Sequence, residues 1–270
     1  MITEQTRTRI KGFLEGFIQG LVLEHKQRPL EPPAEIAQRR AREGKIKPFH
    51  EALLPHELLR ITAFERSLSS RLGVTFEECA RFIGRESYER AERGYKVEGQ
   101  VSAEAIRTIE RIVNAISSGE LRPNYPDLVE EVVQASLSND WRRRKRIADL
   151  YLLDSEGNEL FFEIKTPQPN KGQCIEAADR LLQIHAIKKA GPPQLRTYYA
   201  MAYNPYGQPK SSYRRGITLR YMDVDNQILI GKEFWDLVGG PGTYEDVLAI
   251  YEEVGREKGP DMLDQLAFNY

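Results

Sequence analysis

The stretch from Ile147 to Lys165 constrains this chain more than any other. Residues 147–153 (IADLYLL) and 160–164 (LFFEI) are apolar, aromatic and β-branched runs, the composition of strands. Between them Asp154-Ser155-Glu156-Gly157-Asn158 reads as a turn, with Gly157 available for a left-handed conformation. The spacing predicts a β-hairpin with Asp149 on one strand and Glu163 and Lys165 on the other. Side chains two apart on a strand share a face, so Glu163 and Lys165 project together. A three-residue loop of Ser155, Glu156 and Gly157 sets Asp149 opposite Glu163; a two-residue loop shifts the register by one and leaves them near neighbours. Carboxylates facing each other across a hairpin repel and are tolerated when positive charge stands between them. Mg²⁺ suits that place, since it takes one or two carboxylates together with phosphate oxygens and water. The other reading is an ordinary amphipathic hairpin with its polar residues in solvent. Against it, the neighbouring residues are very apolar and Lys165 adds a third charge to the same face.

At 270 residues the chain is long enough for one large domain or two small ones. Its formal net charge of −1 supplies no global attraction to a polyanion, so any nucleic-acid contact must use local basic clusters. Cys79 and Cys174 are far apart, and no secretory signal is apparent, which points to a reducing cytoplasm. No apolar stretch approaches the length of a membrane span.

Residues 3–26 read as a helix with Ile10, Phe13, Leu14, Phe17, Ile18, Leu21 and Val22 on one face. Gly12, Gly16 and Gly20 form a separate small stripe, either a close-approach surface for a second helix or a loosely packed one. After a proline-rich break at Arg28 to Pro33, a short basic helix is expected at about 34–43. Pro55 and Gly73 bracket a helix over 55–72. Thr75-Phe76-Glu77-Glu78 reads as a capping box opening a further helix to about Arg93. A helix capped by Ser102 and running to about Ser117, and one opened by Pro126 and running to about Ser136, complete a mostly helical part over 1–140. From Trp141 the character changes. Strands are expected at 147–153, 160–165, 197–203, 217–224 and 227–230, with a helix at about 171–190 and a helical tail. The fold class is therefore α/β, residues 1–270 forming a single domain whose core is 141–270.

Glu65, four residues after Ile61 and three before Leu68, falls near the apolar face of its helix. A carboxylate there is costly unless paired, which leaves a metal-site role or a salt bridge to Arg66 or another arginine. Arg142, Arg143, Arg144 and Lys145 lead into the Asp149 strand and are either a solvated face or phosphate contacts. Lys171 and Gln173 stand at the mouth of a helix, where a phosphate is well received; Gln173 could equally cap that helix. Asn204, Lys210, Arg214 and Arg215 lie in a polar, aromatic loop after a strand, and arginine and asparagine suit guanine and adenine edges. An ordinary long loop is the plainer reading. The four histidines show no metal-ligand spacing, and no GxSxG, P-loop or GxGxxG stretch occurs.

Asp149 with Glu163-Ile164-Lys165 resembles the PD-(D/E)XK nuclease signature, alanine standing where proline often does. The longer runs FFEIKTPQPNKGQ (161–173), Phe64-Glu65-Arg66-Ser67, AYNPYG (202–207) and GKEFWDLVGG (231–240) with Tyr244 are similar to type II restriction endonucleases of the TdeIII and MjaII kind, over about residues 50–255. The resemblance implies a restriction-endonuclease-like core: a mixed central β-sheet flanked by helices. It implies Mg²⁺-dependent cleavage of double-stranded DNA at a short G·C-rich palindrome of the GGNCC form, a homodimer, and a cognate DNA methyltransferase in the same system. On that basis Asp149 and Glu163 bind the metal with the Ile164 carbonyl, Lys165 acts on the attacking water, and Glu65 matches a helical glutamate that assists. A nuclease of repair or recombination with the same fold, and a catalytically silent DNA-binding protein, are the rival functions.

Overall fold

The computed structural model describes residues 2–26, 42, 48–137, 139–165 and 167–267. The basic helix expected at about 34–43 lies almost wholly outside them. Among the described residues five strands, β1 (Arg90–Ser102), β2 (Trp141–Leu153), β3 (Glu159–Lys165), β4 (Leu195–Met201) and β5 (Ile228–Ile230), form one sheet in the order β1-β2-β3-β4-β5. β1 and β3 run antiparallel to β2, while β4 is parallel to both β3 and β5. The sheet is mixed and flanked by helices, as the α/β expectation requires. The helices are α1 (Glu4–Lys26), α2 (Pro48–Leu53), α3 (His56–Ser87), α4 (Ala103–Ser118), α5 (Tyr125–Ala135), α6 (Lys171–Lys188), α7 (Gly216–Tyr221), α8 (Lys232–Gly239) and α9 (Thr243–Ala267).

The chain divides into two units. One comprises Phe76–Asp246 with Met1–Ile2 and holds the whole sheet. Its main core joins Val97, Val101 and Ala148 of the β1–β2 ribbon and Tyr151, Phe161 and Tyr199 to Ile109 and Ile112 of α4, Val129 and Val132 of α5, and Leu181 and Leu182 of α6. The other comprises Thr3–Thr75 with Val247–Tyr270. There Leu21, Val22, Phe64 and Leu266 pack together, and Arg7 and Lys11 of α1 ion-pair with Glu253 of α9. Among the described residues, a methyl group added at Gly12, Gly16 or Gly20 would meet nothing within 4 Å, so no described helix approaches the small stripe of α1 closely.

Three expectations about elements are corrected. The helices expected over 55–72 and from Thr75 are one helix, α3. The Thr75 hydroxyl donates to the Leu72 carbonyl (2.6 Å) and caps nothing. Gly73 costs such a helix only about 1 kcal/mol, which the burial of Cys79, Ala80 and Ile83 beyond it outweighs. The helix expected to run from Thr75 to about Arg93 stops short of it: 90–102 is the edge strand β1, paired to β2 from Arg90↔Leu153 to Ser102↔Trp141. Its charge-rich composition has weak strand propensity, and the partner strand decides. Residues 217–224 begin as helix α7, burying Thr218 and Tyr221 at helical spacing. So short an apolar run does not distinguish the two periods.

Candidate active site

The β2–β3 turn is the three-residue one. The Asp154 amide donates to the Asn158 carbonyl (3.1 Å), the Asp154 carboxylate accepts the amides of Glu156 and Asn158, and Gly157 takes φ +84°. Pairing then runs from Leu153↔Glu159 to Leu150↔Phe162 and stops. The next residues in that register are Asp149 and Glu163. In place of a ladder bond, Oδ2 of Asp149 accepts the Ile164 amide at 2.8 Å. The same oxygen accepts Nζ of Lys165 at 2.9 Å, and that ammonium also lies 2.9 Å from Oε1 of Glu163. Lys165 therefore stands between the two carboxylates.

Sequence reasoning missed two further charged groups, one bonded to this cluster and one within its field. Arg180 of α6 donates to the same Glu163 oxygen at 2.8 Å and also reaches Glu176. α6 is anchored beside the strand by a capping box in which Asn170 accepts the Gln173 amide and Gln173 accepts the Asn170 amide. The available signal was an arginine amid the buried residues Ala177, Ala178, Leu181 and Leu182. Glu77 of α3 is half-buried, accepts Nε of Arg93 at 2.6 Å, and feels the fields of Asp149 and Lys165. Its place in an apparent capping box concealed it.

Glu163 is 3% exposed. Burial raises its pKa, the Asp149 charge raises it further, and Lys165 and Arg180 oppose both. For Lys165, burial favours the neutral amine, but Asp149 and Glu163 outweigh it and keep the ammonium charged. Burial likewise raises the pKa of Glu77, against the Arg93 guanidinium. Among the described residues no group of three or more His, Cys, Asp and Glu side chains is gathered to hold a metal. Asp149 and Glu163 do converge on one cation, and an all-oxygen pair of this kind is the donor set of a hard divalent ion. The two carboxylates fit such an ion.

The other expected residues are dispersed. Glu65 belongs to the other unit; it is exposed and accepts the Ser69 hydroxyl at 2.7 Å. The expectation that it lies near the apolar face is corrected: Phe64 is the residue buried there, and Glu65 falls past the edge of that face. Ile164 is buried beside Asp149. Arg142 pairs with Asp140, while Arg143 and Lys145 pair with Glu98 across the ribbon; the Arg143 side chain is 84% exposed. Arg144 lines a cavity of about 270 Å³ with Arg146, Asp179, Gln183 and Glu110. Lys171 lies over the Tyr221 ring at 5.3 Å. Gln173 is committed to its cap. Asn204 holds its own loop through Tyr206, Pro209 and Ser212, and Lys210 binds the Ile228 carbonyl and Glu233. Arg214 is exposed, 6.0 Å from the Tyr206 ring centre, and Arg215 stands at the start of α7. The Tyr213 hydroxyl, donating to the Pro167 carbonyl at 2.7 Å, ties this loop to the segment that follows Lys165.

Residues 7–255 match the family model of the type II restriction endonuclease HinfI. The chain is similar to the type II restriction enzymes HgiBI and HgiEI of Herpetosiphon aurantiacus, each 38% identical over 266 residues that cover 97% of both chains. It is also similar to the type II restriction enzyme MjaII of Methanocaldococcus jannaschii, 25% identical over 252 residues, 87% of this chain and 65% of that one.

Proposed function

The chain belongs to the HinfI family of type II restriction endonucleases, site-specific nucleases of double-stranded DNA, and from that premise we propose that Asp149, Glu163 and Lys165 form its cleavage centre. The observation that carries the reading is the Lys165 ammonium, 2.9 Å from a carboxylate oxygen of each partner, at the point where two strands part. Asp149 and Glu163 would hold Mg²⁺, with the Ile164 carbonyl beside them. When bound, such an ion supplies charge neutralisation at the scissile phosphate and makes the attacking water more acidic. Lys165 is charged, and its three N–H donors suit it to orient that water and to meet the phosphate's developing negative charge. Arg180 favours the ionised form of the buried Glu163, against burial, and holds its carboxylate in place. Glu77, in place of Glu65, is the helical carboxylate of the site.

The exposed Arg142, Arg143 and Lys145 are placed in this reading on the DNA backbone. Lys171, at the start of α6, and Arg214 and Arg215, in the loop that Tyr213 ties to the segment after Lys165, are assigned to base edges at a G·C-rich palindrome of the GGNCC form. Gln173, Asn204 and Lys210 serve to shape those segments. A palindrome has two scissile bonds, which suits a C2 homodimer with one site per strand. A cognate methyltransferase would protect the host's copies of the target in the cytoplasm.

Digestion of a long defined duplex with Mg²⁺, followed by run-off sequencing of the ends, tests the proposal. Discrete fragments with one common end sequence are expected with Mg²⁺, and none with EDTA. Full cutting in EDTA, or wild-type cutting by Asp149→Asn or Lys165→Ala, overturns it.

A further inference from the structure

Opposite Asp149, on β1, stands Gly94, and the ladder is broken at this pair. Pairing runs to Arg93↔Leu150 and resumes at Tyr95↔Ala148 in the same register, so no residue has been inserted. Gly94 takes φ +64°, the one positive φ inside a strand among the described residues. Residues paired across a ladder share a face, and faces alternate along each strand. Glu92 pairs with Tyr151, so Tyr95, three residues on, should face the other way. Instead the Tyr95 and Tyr151 rings stack, 4.0 Å between centres and 14° between planes. Arg90, on the face of Glu92 and Tyr151, lies over both rings at 5.8 and 5.6 Å. The pleat therefore inverts between Arg93 and Tyr95, at the position of Gly94 and Asp149.

We infer that Gly94 is a positioning residue for Asp149. Its left-handed backbone inverts the pleat of the β1–β2 ribbon. That turn aims the Asp149 carboxylate at the Ile164 amide and the Lys165 ammonium instead of leaving it in regular alternation. The inference rests on the reading of Asp149 as a carboxylate of the cleavage centre. Bulk is not the reason for glycine: a Cβ built at Gly94 meets no heavy atom within 4 Å. The backbone conformation is the reason, since side chains with a Cβ resist positive φ, β-branched ones most and asparagine least.

This ranks the substitutions by backbone preference rather than by size. Gly94→Asn, larger than alanine, should keep cleavage and Ca²⁺ binding within about threefold of wild type, since asparagine visits the left-handed region readily. Gly94→Val should lower kcat by a factor on the order of 10² through misplacement of one group, with KM for DNA nearly unchanged. It should also weaken Ca²⁺ binding in calorimetry and reduce the near-ultraviolet circular dichroism of the Tyr95–Tyr151 stack. Gly94→Ala should fall between them, and the Ala–Asn comparison decides the matter if the valine variant fails to fold. Equal behaviour of the asparagine and alanine variants overturns the inference, as does an unchanged tyrosine signal in a valine variant that folds. Asp149→Asn, measured alongside, separates the two claims. If it cuts at the wild-type rate the reading of Asp149 fails, whereas if it is inactive while Gly94→Val is not, only the role of Gly94 fails.

Discussion

Replacing Lys165 by methionine keeps the aliphatic stem and removes the ammonium that two carboxylates share at 2.9 Å. Asp149 then keeps only the Ile164 amide of these partners, and the Glu163 carboxylate, whose side chain is 4% exposed, keeps only Arg180. Removing one partner of a fully buried ion pair costs about 3–5 kcal/mol. The Lys165 side chain is 35% exposed, so solvent screens part of that interaction. A cost of about 1–2 kcal/mol follows, which for a chain of this size lowers the melting temperature by roughly 2–8 °C. Both tryptophans, Trp141 and Trp235, lie in the unit that carries the site, so their fluorescence reports its unfolding rather than that of the other unit. In EDTA the variant should melt earlier than wild type. Ca²⁺ should then raise its melting temperature more than it raises that of wild type, because the ion meets two carboxylates with no ammonium between them. Cleavage in Mg²⁺ should fall by a factor on the order of 10² or more while binding to the DNA target persists. A variant that melts with wild type in EDTA and gains no more from Ca²⁺ would refute the view that Lys165 occupies the cation position.

Arg143→Ala should weaken binding to target and non-target DNA alike and flatten the salt dependence, since this exposed arginine is assigned to phosphates. Arg214→Ala should cost about 1–3 kcal/mol on the target sequence only; competition binding that shows no loss of discrimination would move base readout elsewhere. Burial lowers the pKa of His185 from 6.5 to about 4, while its ring bonds the Ala190 carbonyl and Thr197. The unfolded chain therefore binds the extra proton between those values, so stability should fall by about 3 kcal/mol as pH drops from 6.5 to 4. His185→Gln should flatten that slope in urea titrations, and an equal slope in both proteins would reject the assignment.

The register at the site was legible to within one residue because the turn is short and local. Asp154 and Gly157 dictate a three-residue loop, and the loop length alone sets Asp149 against Glu163. The cap of α4 was legible for the same reason: the Ser102 side chain accepts the Ala105 amide three residues away. What the sequence concealed depends on contacts distant along the chain. Arg180 is brought to Glu163 by the packing of α6, and Glu77 to Asp149 by the placement of α3. β1 owes its conformation to β2, from which α4 and α5 separate it in the chain. Gln173 went the other way: a cap within its own helix satisfies the side chain before any distant ligand does.

The charges of the site imply a coupling between metal and DNA. Asp149, Glu163 and Glu77 are matched by Lys165, Arg180 and Arg93, while Glu176, the second partner of Arg180, is 60% exposed and screened by water. A divalent ion entering so balanced a cluster leaves positive charge uncompensated in a partly buried place, and a phosphodiester supplies the missing negative charge. Ca²⁺ should therefore raise the affinity for a target duplex, and the duplex must raise the affinity for Ca²⁺ by the same factor. Couplings of this kind are typically about 5–150-fold. Removing one positive charge shrinks the deficit that the phosphate corrects. Arg180→Met should thus bind Ca²⁺ more tightly than wild type without DNA, and the gain on adding DNA should be smaller. Calorimetric Ca²⁺ titrations with and without duplex, set beside anisotropy titrations of duplex at several Ca²⁺ concentrations, measure both arms. If Arg180→Met binds Ca²⁺ no better without DNA, or if its coupling factor equals that of wild type, charge balance does not link the two ligands. Arg180 would then be a structural partner of Glu163 alone.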